Sequence, residues 1–110
     1  MTDTHKETTM IVVSVLYESA GRFDEDYYLD QHMPLVRERW KAELSGTRVL
    51  KGMPGPDGSP PPFIIVAELS FATMGDVQQA MTGPHAAEIF GDVANFTDAK
   101  PKQMISEVIG

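Results

Sequence analysis

Two apolar runs limit what this chain can become. MIVVSVLY at 10–17 and FIIVAELSF at 63–71 are rich in β-branched residues and have strand length. In the first, alternation puts Ile11, Val13, Val15 and Tyr17 on one face and Met10, Val12, Ser14 and Leu16 on the other. In the second, Phe63, Ile65, Ala67, Leu69 and Phe71 oppose Ile64, Val66, Glu68 and Ser70. Both faces of both strands are mostly apolar, so both sides of their sheet require cover.

The stretch between them, FDEDYYLDQHMPLVRERW at 23–40, carries the only tryptophan and two of the three tyrosines. Asp24 is placed to cap a helix, with Phe23 stapled onto Tyr28 four positions inside it. Glu25 and Asp26 fall where the helix dipole favours negative charge. Pro34 cannot donate to the carbonyl of Asp30 and disfavours helical angles at Met33. The spacing therefore predicts a helix that stops or kinks near His32 and resumes over residues 35–44, with Gly46 ending it.

A short strand is expected at 47–53, then a proline-rich loop at 53–62 joining antiparallel strands. A second helix, capped by Thr73, covers 73–81 and breaks at residues 82–84, with one further helical turn at 85–90. A loop at 92–101 leads to a last strand at 103–109. This order is the split βαβ arrangement. The expected fold class is α+β, a ferredoxin-like βαββαβ sandwich with two helices on one face of a four-stranded antiparallel sheet. The opposite face is left bare, roughly 400 Å² for four strands of ordinary length. A patch of that size marks an interface, and a homodimer with its two sheets face to face is expected.

The 110 residues fit one domain, assigned to 10–110 after a polar leader at 1–9. The net charge of -7, with nine scattered lysines and arginines, supplies no stripe to neutralise phosphates, so nucleic acid is not an expected partner. No basic amphipathic segment points to a membrane surface, and no apolar run nears the ~20 residues that span one. The start of the chain lacks the apolar run of a secretory signal, so a cytoplasmic location is expected. Without cysteine, thiolate metal sites, disulfides and cysteine nucleophiles are excluded.

His32 is the sharpest chemical candidate. Tyr28 precedes it by one helical turn on the same face, and its ordinary titration range suits proton transfer near neutrality. Capping of the broken helix would account for it equally well. Asp30, two positions earlier, points away, so no carboxylate partner is assigned to His32. Glu68 is unusual in an apolar strand; it lines a polar cavity, or it reaches solvent at a dimer rim or pairs with Arg48. His5 and His85 are isolated, and no metal site is expected. Met33, Trp40 and Phe96, with other aromatic and methionine side chains, supply the walls of an apolar pocket or simply core. Phosphate loops, nucleophile elbows and dinucleotide fingerprints are absent.

The segments FDEDYYLDQHMPLV, PHAAEIFGDVANFTDAKP and QMISEV make the chain similar to the EthD family, named for ethyl tert-butyl ether degradation. The resemblance covers nearly everything after the leader. It implies a ferredoxin-like protomer that pairs into a dimeric α+β barrel, in a superfamily with cofactor-free monooxygenases, muconolactone-type isomerases, polyketide cyclases and heme-degrading members. By position it makes His32 the acid/base or ligand-orienting group, with Tyr28 and Met33 in the same motif and Phe96 in the second one; Trp40 and Glu68 are added as pocket candidates by the reading of the residues themselves. It leaves Asp92 and Asn95 to hold the loop before the last strand. The function expected on this basis is a cofactor-independent isomerase, decarboxylase, dehydratase or monooxygenase acting on a small aromatic or lactone-like carbonyl compound. The alternative is an accessory dimer that binds such a compound without turnover.

Overall fold

A computed structural model describes residues 10–19 and 21–110. The leader assigned to residues 1–9 lies outside the described residues. The elements are β1 (Ile11–Glu18), α1 (Glu25–Tyr27), a π-helical turn (Tyr28–His32), α2 (Met33–Arg39), β2 (Leu44–Lys51), β3 (Phe63–Phe71), α3 (Met74–Thr82), α4 (Ala86–Gly91), a 3₁₀ turn (Asp92–Asn95) and β4 (Lys102–Glu107). The four strands form one antiparallel sheet in the order β2-β3-β1-β4. The expected α+β class and ferredoxin-like sheet are therefore what the chain adopts.

The two apolar strands are the central pair, as their two-sided patterning requires. Val13 stands opposite Leu69, Val15 opposite Ala67 and Tyr17 opposite Ile65. These residues face the helices, whose buried Val36, Val77, Ala80 and Ile89 close the core. Burying each large apolar side chain contributes roughly 1.5–3 kcal/mol. The other face carries Val12, Leu16, Ile64 and Val66 from the central strands and Leu50 and Met104 from the edges. No element among the described residues covers it, and Met104 and Leu50 are exposed.

The helix starts as its sequence dictates. Asp24 Oδ1 accepts from the backbone N–H of Tyr27 at 3.0 Å, and the Phe23 and Tyr28 rings stand 5.2 Å apart. Thr73 caps α3 in the same way, accepting from Asp76 N–H at 3.0 Å.

Pro34 does not break the helix. Met33 keeps helical angles (φ -65°, ψ -38°), and its N–H bonds back to the carbonyl of Tyr28 five residues earlier. The widened π turn absorbs the proline: the backbone shifts register just ahead of it, and Pro34 falls in the first turn of α2, where no donor is needed. The expected corner beside His32 is thus a bulge in a continuous helix.

The resumed helix is also shorter than expected, ending at Arg39. Trp40 leaves helical angles (φ -104°, ψ 22°), and β2 begins at Leu44. Gly46 does not end a helix; it sits just past a register shift in the β2–β3 pairing. Pairing with β3 outweighs the helical spacing of residues 40–44.

Candidate functional site

His32 ends the π turn with its side chain directed inward, 4% exposed. Its ring stacks on that of Tyr28, centroids 5.4 Å apart at 22°, so the sequence pairing of these two residues holds. Phe96 packs against the same imidazole at 4.7 Å and against Tyr28 at 5.0 Å.

The residue that completes the site comes from the other end of the fold. Asp92 Oδ2 lies 2.8 Å from His32 Nδ1, and its Oδ1 accepts from the Tyr27 hydroxyl at 2.6 Å and from Asn95 Nδ2 at 2.9 Å. A clamp carries Asp92 there. Asp24 N–H donates to the carbonyl of Phe96 at 2.7 Å, and Thr97 Oγ1 donates to the carbonyl of Arg22 at 2.7 Å. The Arg22 guanidinium donates to the carbonyl of Ala94 at 3.0 Å and also bridges to Asp98. These bonds tie the entry of α1 to the segment after α4.

The electrostatics fix the protonation of the pair. Burial pushes the imidazole below its ordinary 6.5, while the hydrogen bond and charge of Asp92 pull the other way without restoring it. Burial raises the Asp92 carboxyl, but hydrogen bonds from Tyr27, Asn95 and His32 outweigh this and leave it below 3.8. Near neutral pH the site therefore holds a carboxylate and a neutral imidazole. A carboxylate only accepts, so the ring proton is on Nδ1 and the lone pair on Nε2. Nε2 has no hydrogen-bond partner among the described residues.

His32 contributes no capping hydrogen bond to α2, so the capping explanation for it fails. The ring borders instead a cavity of about 30 Å³ between sheet and helices. Tyr28, Met33 and Trp40 line it with Val36, Leu69 and Ile89. Phe90 and Met81 also border it and are only partly covered. At this size it has room for roughly two water molecules, so a larger guest must displace part of the wall.

Burial pushes the Tyr28 phenol far above its ordinary range, so it is a neutral hydroxyl at any physiological pH. It supports the imidazole through stacking, whereas its neighbour Tyr27 makes the bond to Asp92. Trp40 leaves its Nε1–H buried and without a partner. Such an orphan costs about 1–3 kcal/mol.

Two pocket expectations are corrected. Phe96 is not a wall of the cavity: it is fully buried behind His32, packed among Tyr17, Phe23 and Tyr28. Glu68 belongs to the opposite face of the sheet, because strand alternation turns it away from Ala67 and Leu69, and it pairs with Arg48 at 2.8 Å. Asp92 is what the sequence reading missed as a chemical group. Its GDVxNFTD setting marked it only as a loop-holding residue, and Asn95 does hold it. Among the described residues, no group of three or more His, Cys, Asp or Glu is arranged to take a metal ion, and no helix is long and apolar enough to cross a membrane.

Residues 22–100 match the EthD domain model. An EthD-like protein from Ralstonia eutropha JMP134 is 38% identical and superposes with a TM-score of 0.83, over 90% of this chain and 91% of that one. An ethyl tert-butyl ether degradation (EthD) family protein from Bacillus halodurans C-125 is 24% identical, with a TM-score of 0.76 over 91% of this chain and 99% of that one. A hydroxynitrile lyase from Passiflora edulis shares the fold at 12% identity, with a TM-score of 0.66 over 94% and 95% of the two chains. No curated protein sequence matches.

Proposed function

The chain belongs to the EthD family, and from that premise we propose that it is a cofactor-independent enzyme that moves a proton on a small carbonyl compound, with His32 as the base. One observation carries this reading. A neutral imidazole, held at Nδ1 by an ionised Asp92 at 2.8 Å, offers its free Nε2 beside an apolar cavity. Nε2 takes the proton from the carbon next to the carbonyl, and the electron pair of that C–H bond moves onto the oxygen as an enolate. Asp92 stabilises the imidazolium while it lasts, and Nε2 returns the proton at a second position, as in an isomerisation. Tyr27 and Asn95 keep the carboxylate ionised and in place. Aromatic and lactone-like carbonyls suit walls made of Tyr28, Met33, Trp40 and Phe90.

The test is proton–deuterium exchange in D₂O across a panel of small aryl ketones and unsaturated lactones, followed by NMR. Catalysed exchange next to the carbonyl is expected, and His32→Ala should slow it by roughly 10²–10⁴-fold. Exchange that survives the substitution unchanged would remove His32 from the chemistry. Binding without any exchange would favour an accessory role.

The working form is proposed to be a homodimer. Val12, Leu16, Ile64, Val66, Leu50 and Met104 form an apolar sheet face that the protomer leaves open, and a second copy of the same face is suited to cover it.

A further inference from the structure

Trp40 Nε1 stands out as a buried side-chain nitrogen with no hydrogen-bond partner among the described residues. The indole is 2% exposed, so solvent does not serve the N–H in this conformation. Buried tryptophans ordinarily find an acceptor, and a phenylalanine would fill a purely apolar core position without leaving an orphan. The indole lies against the same cavity as His32 and packs edge to face on Phe90, centroids 6.2 Å apart at 70°. Phe90 is 40% exposed and forms part of the cavity wall, so this part of the wall meets solvent. One apolar cavity is thus lined by two residues with unused polar groups, His32 with an acceptor at Nε2 and Trp40 with a donor at Nε1.

We propose that Trp40 is the residue that binds the carbonyl oxygen: once Phe90 turns aside, its Nε1–H donates to the oxygen of the compound whose proton His32 takes. This rests on the proton-transfer reading of His32. It narrows the ligand to compounds with an acceptor oxygen next to the carbon that loses the proton. An indole N–H only donates, so the contact strengthens as the carbonyl oxygen gains charge in the enolate.

Trp40 is the single tryptophan, so the ¹⁵N-labelled full-length chain gives one indole N–H signal. The probes are acetophenone and α-methylstyrene, which differ by an oxygen in place of a methylene. Both are expected to shift the His32 ring signals, only acetophenone should move the indole proton downfield, and acetophenone should bind about tenfold more tightly. Replacing the tryptophan by benzothienylalanine, with sulfur in place of N–H, should abolish the preference while keeping the fit of α-methylstyrene. Trp40→Phe gives the same comparison with a smaller ring.

A His32 shift with an unmoved indole signal would overturn the role of Trp40 and leave the His32 reading intact. An indole shift without a His32 response would assign the N–H to the neighbouring surface cleft at Glu38, Lys41, Gln79 and His85, and overturns the proposal. A preference that persists in the benzothienylalanine protein overturns it as well. If neither signal moves with either probe, the cavity reading falls together with it.

Discussion

His32 Nδ1 and Asp92 Oδ2 stand 2.8 Å apart although sixty positions separate them in the chain. With side chains 5% and 12% exposed, the pair is shielded from the solvent that weakens surface ion pairs. It orients the imidazole, sets its tautomer, and holds a negative charge where positive charge would develop. Removing Asp92 withdraws the hydrogen bond and the charge that partly offset burial. Asp92→Asn should therefore move the His32 titration still further below 6.5 and slow any His32-dependent exchange; NMR titration of the ring protons measures the first effect directly.

Stability should depend on pH through the same pair. Folded His32 holds its proton less tightly than the unfolded imidazole, which titrates near 6.5. On acidification the unfolded chain takes up the proton first, so stability falls as pH drops through about 6.5. Asp92, depressed below 3.8, adds a second loss of the same sign at lower pH. Melting temperature should rise between about pH 5 and 7 and then level off. In His32→Gln that slope should flatten, and an unchanged slope would assign it to other groups.

Phe96 joins the two halves of the site without lining the cavity. Fully buried and in contact with Tyr17, Phe23, Tyr28 and His32, it is expected to cost about 3–5 kcal/mol on truncation to alanine. Chemical denaturation measures this. A loss below about 1 kcal/mol would mean that the aromatic cluster relaxes around the gap.

Val66 lies on the open sheet face, paired with Leu16 and Leu50 on its two neighbours. If two copies meet there, light scattering should give about twice the 12.1 kDa chain mass. Val66→Asp, placing an unpaired charge in the interface, should return the monomer with its core intact. A monomeric wild-type chain would exclude the interface.

The Arg48–Glu68 bridge spans that same face, with Arg48 largely exposed. In the isolated protomer Glu68→Gln should change stability by no more than ~1 kcal/mol. A larger effect confined to the dimer, seen by comparing the variant in the Val66→Asp background, would place the bridge at the interface.

The element order, the capping at Asp24 and Thr73 and the shared helix face of His32 and Tyr28 were legible because each depends on local periodicity or on a residue's own backbone preference; the central position of β1 and β3 came only with the sheet. Pro34 was misread because the rule for proline in an α-helix does not foresee a π turn that shifts the backbone ahead of it. Gly46 and residues 40–44 were misread because pairing with β3 is a contact between distant segments. Glu68 could not be assigned to a face of a known function until the helices were seen to cover the other side. The Asp92 partnership was invisible for the same reason: no spacing rule links positions sixty apart, and only the clamp between Arg22–Asp24 and Ala94–Thr97 closes that distance. By itself the sequence determined a two-sided sheet, its helices and a histidine one helical turn from Tyr28; the tertiary structure alone decided that this histidine points inward and which carboxylate it meets, because only packing sets the distance between side chains remote in the chain.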